Sequence, residues 1–166
     1  AAGNGIARLL LAYGVREIIG TDLSRDAVAR FEALGGRGVS LESLMQRADI
    51  VVATTGVKGL IRPEWVRKGQ VIFALSNPEP EIEPVLARER GAAFAADGKG
   101  INNLLAYPGL FKGALEARAP CFTDRMLMAA AEAIAAFAGE ELVPDPLDKG
   151  LHEKVTGAVV AAAEAG

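Results

Sequence analysis

Asn102-Asn103-Leu104-Leu105-Ala106-Tyr107-Pro108-Gly109-Leu110-Phe111-Lys112-Gly113-Ala114-Leu115 is the stretch that decides how this chain folds. Its two adjacent amides follow the Gly98-Lys99-Gly100 turn and precede an apolar run. They therefore stand at the strand-to-helix lip where open parallel α/β sheets take their ligands. An Asn ahead of a helix also has a structural use, because its side chain accepts from orphan backbone N–H groups of the first turn. That use takes one residue, so the pair Asn102 and Asn103 reads as a cap together with an amide turned toward a ligand.

Upstream, apolar runs deliver further polar residues to the same edge. Ala92 to Ala96 reads as the last strand, Glu81 to Arg90 as a charged surface helix, and Gln70-Val71-Ile72-Phe73-Ala74-Leu75 as a buried strand ending in Ser76-Asn77-Pro78. A residue before proline is held extended, which restricts where the Asn77 amide can point. Asp49-Ile50-Val51-Val52-Ala53 is another such run, and it breaks into Thr54, Thr55 and Gly56. It reads as a central parallel strand whose carboxyl end sets those three residues beside a cofactor. Threonine is equally an ordinary strand residue, and packing accounts for each Thr taken singly.

At the front, Ala1-Ala2-Gly3-Asn4-Gly5 runs into Ile6, Leu9 and Leu10. This is the back half of a dinucleotide fingerprint, with Ala2 and Gly3 against the cofactor and the first strand and first two glycines expected upstream. Val15 to Thr21 then reads as a strand ending in Asp22, at the spacing of a ribose-binding acid. Asp22 would accept from both hydroxyls of an adenine ribose and repel a 2′-phosphate, which favours NAD, while Arg25 nearby leaves NADP open. The alternative is that Asp22 and Ser24 merely start a helix from Arg25 to Leu34. Gly35-Gly36-Arg37-Gly38 reads as a loop, and Ser40 starts a helix through Ala48.

With 166 residues, 51% of them hydrophobic, the chain has the length and material for one domain over residues 1–166. A net charge of −3 with interspersed signs argues against a nucleic-acid partner, and no basic run suggests a membrane surface. No apolar run reaches bilayer length, and no charged n-region with a cleavage site marks a targeting segment. The single Cys121, between Pro120 and Phe122, reads as a partly buried thiol in a cytoplasmic protein. Trp65 packs in a short turn from Pro63 to Gly69. Thr123 to Ala138 and Asp148 to Ala163 read as helices without clustered chemistry, and His152 falls on a solvated face. No carboxylate pair or His, Asp and Cys group has metal-ligand spacing.

These elements predict an α/β fold, a Rossmann-like doubly wound parallel sheet with its first strand missing from this chain and Ala-rich helices at the C-terminal end. Four blocks in order resemble the NAD-binding domain of the malic enzymes: Ala1-Ala2-Gly3, Phe73-Ala74-Leu75-Ser76-Asn77-Pro78, Ile101-Asn102-Asn103, and Tyr107-Pro108-Gly109 with Phe111-Lys112-Gly113-Ala114-Leu115. The resemblance implies oxidation of L-malate with hydride transfer to NAD or NADP, decarboxylation to pyruvate and carbon dioxide, a divalent Mg or Mn ion, and a homo-oligomer, a dimer, when complete. It implies a substrate site of Asn77, Asn103 and Asn102, in which Asn77 and Asn103 contact malate while Asn102 mainly shapes the turn, and it places Asn77 against the cofactor as well. It also implies a Lys base, a Tyr acid and metal ligands ahead of the fingerprint, so that this chain alone is inactive. Tyr107 is not that acid; packing explains it. Where many members carry a longer polar loop ahead of the double Asn, this chain has only Asp97-Gly98-Lys99-Gly100, which opens a charge role for Lys99. Other Rossmann dehydrogenases lack the pairing of Ser76-Asn77-Pro78 with Asn102-Asn103. A non-catalytic NAD-sensing module stays open as an alternative.

Overall fold

The computed structural model describes residues 2–141 and 143–165; Ala1 of the predicted fingerprint lies outside them. The chain divides into two compact units, Ala1–Ile101 and Asn102–Gly166.

The first unit is α/β with parallel strands, as the sequence predicts. Helix α1 (Ala2–Ala12) leads to β1 (Ile19–Gly20), α2 (Arg25–Ala33), β2 (Arg37–Gly38), α3 (Leu41–Arg47) and β3 (Ile50–Ala53). A short 3-10 turn, Pro63–Trp65, precedes β4 (Val71–Ala74), α4 (Pro84–Glu89) and β5 (Phe94–Asp97). Serine caps start two of the helices: Ser24 Oγ accepts from the Ala27 N–H and Ser40 Oγ from the Ser43 N–H.

The strands form two sheets. β1 pairs with β2, Ile19 opposite Arg37, while β3, β4 and β5 pair in that order, Ile50 opposite Val71 and Val71 opposite Phe94. The Gly35 to Gly38 segment, read as a loop from its glycines, thus contains a strand. Glycine is needed there for a packing reason: a Cβ on Gly36 would lie 2.2 Å from the Phe31 ring of α2, and one on Gly20 2.8 Å from it. The ring occupies the space that strand side chains would fill. The strand expected from Val15 to Asp22 is correspondingly short, only Ile19 and Gly20 being paired.

The core of this unit lies between the β3-β4-β5 sheet and its helices. Met45, Val51, Ile61, Ile72, Ile82 and Ala87 are its main buried members. β3 alternates rather than being buried throughout, with Val51 and Ala53 inside but Ile50 62% exposed. One face of β3 packs and the other opens onto a cleft. Buried Gln70 ties the core to α3, its Nε2 donating to the carbonyls of Met45 (3.1 Å) and Ala48 (2.7 Å). These carbonyls at the C-terminal end of α3 have no partner within the helix, and Arg67 donates to the same two, from Nε to Met45 (3.3 Å) and from Nη2 to Ala48 (2.7 Å).

The second unit is helical. After a 3-10 turn, Asn103–Leu105, come α5 (Tyr107–Glu116), α6 (Asp124–Ala138) and α7 (Lys149–Glu164). Thr123 and Asp148 cap α6 and α7. Leu151, Val155, Thr156 and Val159 form the buried stripe of α7, at helical spacing. α5 meets α7 through Gly109 and Gly113: a Cβ on Gly109 would lie 2.6 Å from Val155 Cβ, and one on Gly113 2.8 Å from the Thr156 carbonyl oxygen. No helix among the described residues is long and apolar enough to cross a membrane.

Candidate functional site

In the first unit a cleft of about 610 Å³ opens between the start of α1, the end of β1 and the end of β3. Its polar lining includes Gly3, Asn4, Thr21, Asp22, Thr54 and Thr55; Ile6, Leu10, Ile19 and Val52 supply apolar wall. Four predicted cofactor residues, Gly3, Asp22, Thr54 and Thr55, therefore share one cavity, whereas Ala2, Gly56 and Asn77 are not in its lining. Gly3 sits beside β3's end, where an added Cβ would stand 3.7 Å from Thr54 Oγ1. The first turn of α1 has no acidic residue, so its free N–H groups and positive dipole end suit an anion.

Asp22 is exposed and uses Oδ1 to accept from the Ser24 N–H at 2.8 Å. The side-chain cap of α2 is Ser24. Asp22 holds the turn ahead of that cap, with its carboxylate on the cleft wall.

A second arrangement escaped the sequence reading. Glu81, expected on a charged surface helix, is 0% exposed, because α4 begins only at Pro84 and the chain before it runs back under the strand ends. Its Oε1 accepts from the Thr55 N–H (2.7 Å), Thr55 Oγ1 (2.8 Å) and Ser76 Oγ (2.6 Å), and its Oε2 from the Ser76 N–H at 3.4 Å. Ser76 Oγ in turn accepts from the Gly56 N–H at 2.7 Å. Burial pushes the Glu81 carboxyl up, but the hydrogen bonds from Ser76 and Thr55 outweigh it and hold the group below its ordinary range. The signal in sequence was thin: two hydroxyl residues at two strand ends and a carboxylate shortly after Pro80.

Asn77 is exposed at the end of β4, and its peptide bond to Pro78 is cis. It lies against buried Gly98: a Cβ there would come within 2.7 Å of Asn77 Nδ2 and of the Leu75 carbonyl oxygen. Asp97 Oδ1 accepts from the N–H groups of Lys99 and Gly100, both at 3.0 Å, which shapes the short turn carrying Gly98. Lys99 is exposed.

Asn102 and Asn103 belong to the second unit. Asn102 Oδ1 accepts from the Leu104 N–H at 2.9 Å and caps the 3-10 turn. Asn103 is the first residue of that turn and is exposed. Tyr107 packs edge-on against Phe111, their centroids 5.3 Å apart. Two peripheral expectations need correction. Cys121 is exposed, since it sits in the connection between α5 and α6 rather than under a helix. His152 is only partly solvated, its Nδ1 being buried without a hydrogen-bond partner, while its backbone carbonyl faces Gly109 of α5.

Among the described residues no three His, Cys, Asp or Glu side chains gather at metal-ligand range, so they offer no ligand set for the divalent ion the resemblance implies. The chemistry on hand is recognition: a helix start for an anion, a carboxylate on the cleft wall and amides at strand and turn ends.

Parallel strands, a helix opening onto a cavity at their carboxyl ends and a carboxylate after the following strand define a dinucleotide-binding α/β class. Residues 95–147 match the family model described as malic enzyme, NAD binding domain. NAD-dependent malic enzyme 1 of Bacillus subtilis is 54% identical over 98% of this chain and 38% of its own length. The bifunctional malic/malolactic enzyme of the same organism is 36% identical over 98% of this chain and 46% of its own. The crystal structure of the NAD-dependent malic enzyme of Thermotoga maritima superposes with a TM-score of 0.83 at 34% identity, covering 95% of this chain and 48% of that one. The chain belongs to the malic enzyme family and corresponds to its NAD-binding domain. It spans less than half the length of these relatives.

Proposed function

We propose that this chain is the cofactor-binding part of an enzyme that oxidises L-malate and decarboxylates it to pyruvate and carbon dioxide. The observation that carries the reading is the cleft that gathers Gly3, Asp22, Thr54 and Thr55. The first turn of α1 receives the pyrophosphate of the dinucleotide, and Asp22 accepts from the adenine-ribose hydroxyls. A carboxylate there repels a 2′-phosphate, so NAD is the preferred cofactor over NADP. Ala2 and Gly56 flank the bound dinucleotide. When bound, NAD accepts the hydride from C2 of malate.

The amides of Asn77 and Asn103 orient the substrate's carboxylate and hydroxyl. An amide offers donor and acceptor without burying an uncompensated charge near the nicotinamide. Asn102 holds the turn that presents Asn103. The amides, Thr54, Thr55 and backbone groups of this site position but do not exchange protons at neutral pH, so proton transfer and the Mg or Mn ion are assigned to the remainder of the complete protein. The complete protein works as a cytoplasmic homo-oligomer, a dimer. The test is to assay the complete protein with L-malate, NAD and Mn, following NADH and pyruvate together. Equal formation of both products supports the reading, and NADH without pyruvate points to a different dehydrogenase.

A further inference from the structure

We propose that Glu81 is a positioning residue of this site, a buried carboxylate that locks the loops after β3 and β4 to one another and thereby aims the Asn77 amide. The proposal rests on the reading of Asn77 as a malate contact. Three donors converge on a single oxygen, Oε1: the Thr55 N–H, Thr55 Oγ1 and Ser76 Oγ, at 2.6 to 2.8 Å. The Gly56 N–H joins the same network through Ser76 Oγ, so residues from both strand ends answer to one group. Asn77 follows Ser76 directly, and on its other side Gly98 leaves no room for a side chain. Clamped from below through Ser76 and flanked by Gly98, the amide has a fixed origin.

A carboxylate is a costly choice for a purely structural clamp. No salt bridge reaches Glu81 among the described residues, so hydrogen bonds alone compensate the buried charge. What the charge supplies is an acceptor-only group. It fixes every surrounding N–H and O–H in one direction, whereas a neutral amide of the same shape would turn a donor toward the Ser76 N–H.

The experiment uses the complete protein with Glu81→Gln, Asn77→Ala and the double variant. Hydrogen exchange is followed over residues 54–57 and 75–79, and malate kinetics are measured at saturating NAD. Glu81→Gln is expected to speed exchange in both loops and to lower kcat/KM for malate by about tenfold, as misorientation does. Added to Asn77→Ala it should cost no more than about twofold further, because both act through one amide. Unchanged exchange in the two loops, or single effects that simply multiply when Asn77→Ala by itself impairs malate kinetics, would overturn the proposal. If Asn77→Ala alone leaves malate kinetics untouched, the substrate reading of Asn77 fails, and faster exchange in Glu81→Gln still upholds the clamp. Should Glu81→Gln not fold, Ser76→Ala cuts the same link between Gly56 and Glu81 and is judged by the same comparison.

Discussion

At the scale of single residues, the charge of Glu81 and that of Asp22 face opposite environments and lead to opposite tests. Glu81 has no exposed surface, and its carboxyl is held below the ordinary value of 4.5. A depressed folded-state value means that the stabilisation is fully present above the unfolded value and is lost as pH falls through the folded one. Acid titration of stability should therefore show a loss setting in below that ordinary value, and Glu81→Gln should flatten it. An identical acid limb in the variant would show that other carboxylates set it. Asp22 is solvent-facing, and because Ser24 caps α2, Asp22→Ser should cost the fold little. In the complete protein it should weaken NAD by roughly one to two decades, the worth of a charge-assisted hydrogen bond, and shift the kcat/KM ratio toward NADP. A ratio that stays put would reduce Asp22 to its turn with Ser24. The spacing of Asp22 after the fingerprint was legible in sequence. The burial of Glu81 was not, because nothing local says that a charged segment doubles back beneath two strand ends.

Among the elements, helix starts were the most readable, since Ser24, Ser40, Thr123 and Asp148 each announce a cap by residue type. Strand extent was the least readable. Apolar runs marked β3 and β4, but β1 narrows to two residues of the run that reads as a strand, and β2 lies in a glycine-rich segment that looks like loop until the Phe31 ring is placed beside Gly36. The crossing of α5 and α7 depends on a similar omission of side chains. Gly113→Ala would set a Cβ 2.8 Å from the Thr156 carbonyl oxygen, and backbone cannot yield as a side-chain tip can. Such overpacking should destabilise by about 1–3 kcal/mol in urea unfolding. Gly157→Ala, with nothing within 4 Å of the added Cβ, serves as the control and should be neutral or mildly stabilising. Equal stability of the two variants would mean that α5 and α7 do not meet at Gly113.

For the whole molecule, the sequence supports one fold class and one family because independent features agree: parallel strands, a cleft at their ends and a match to malic enzymes over nearly the full chain. The division into two compact units lies beyond sequence patterning, since the boundary falls between Ile101 and Asn102, inside the block that reads as a single motif. Asn102 is spent on the 3-10 turn and Asn103 is left exposed beside it. The most direct measurement sets kcat/KM for malate, at saturating NAD, beside the melting temperature for Asn102→Ala and Asn103→Ala in the complete protein. Asn103→Ala should lower kcat/KM on the order of a hundredfold with the melting temperature nearly unchanged, whereas Asn102→Ala should cost about 1 kcal/mol of stability as a lost cap. Unaltered malate kinetics in Asn103→Ala together with a lowered melting temperature would contradict the account and leave both amides as structural residues.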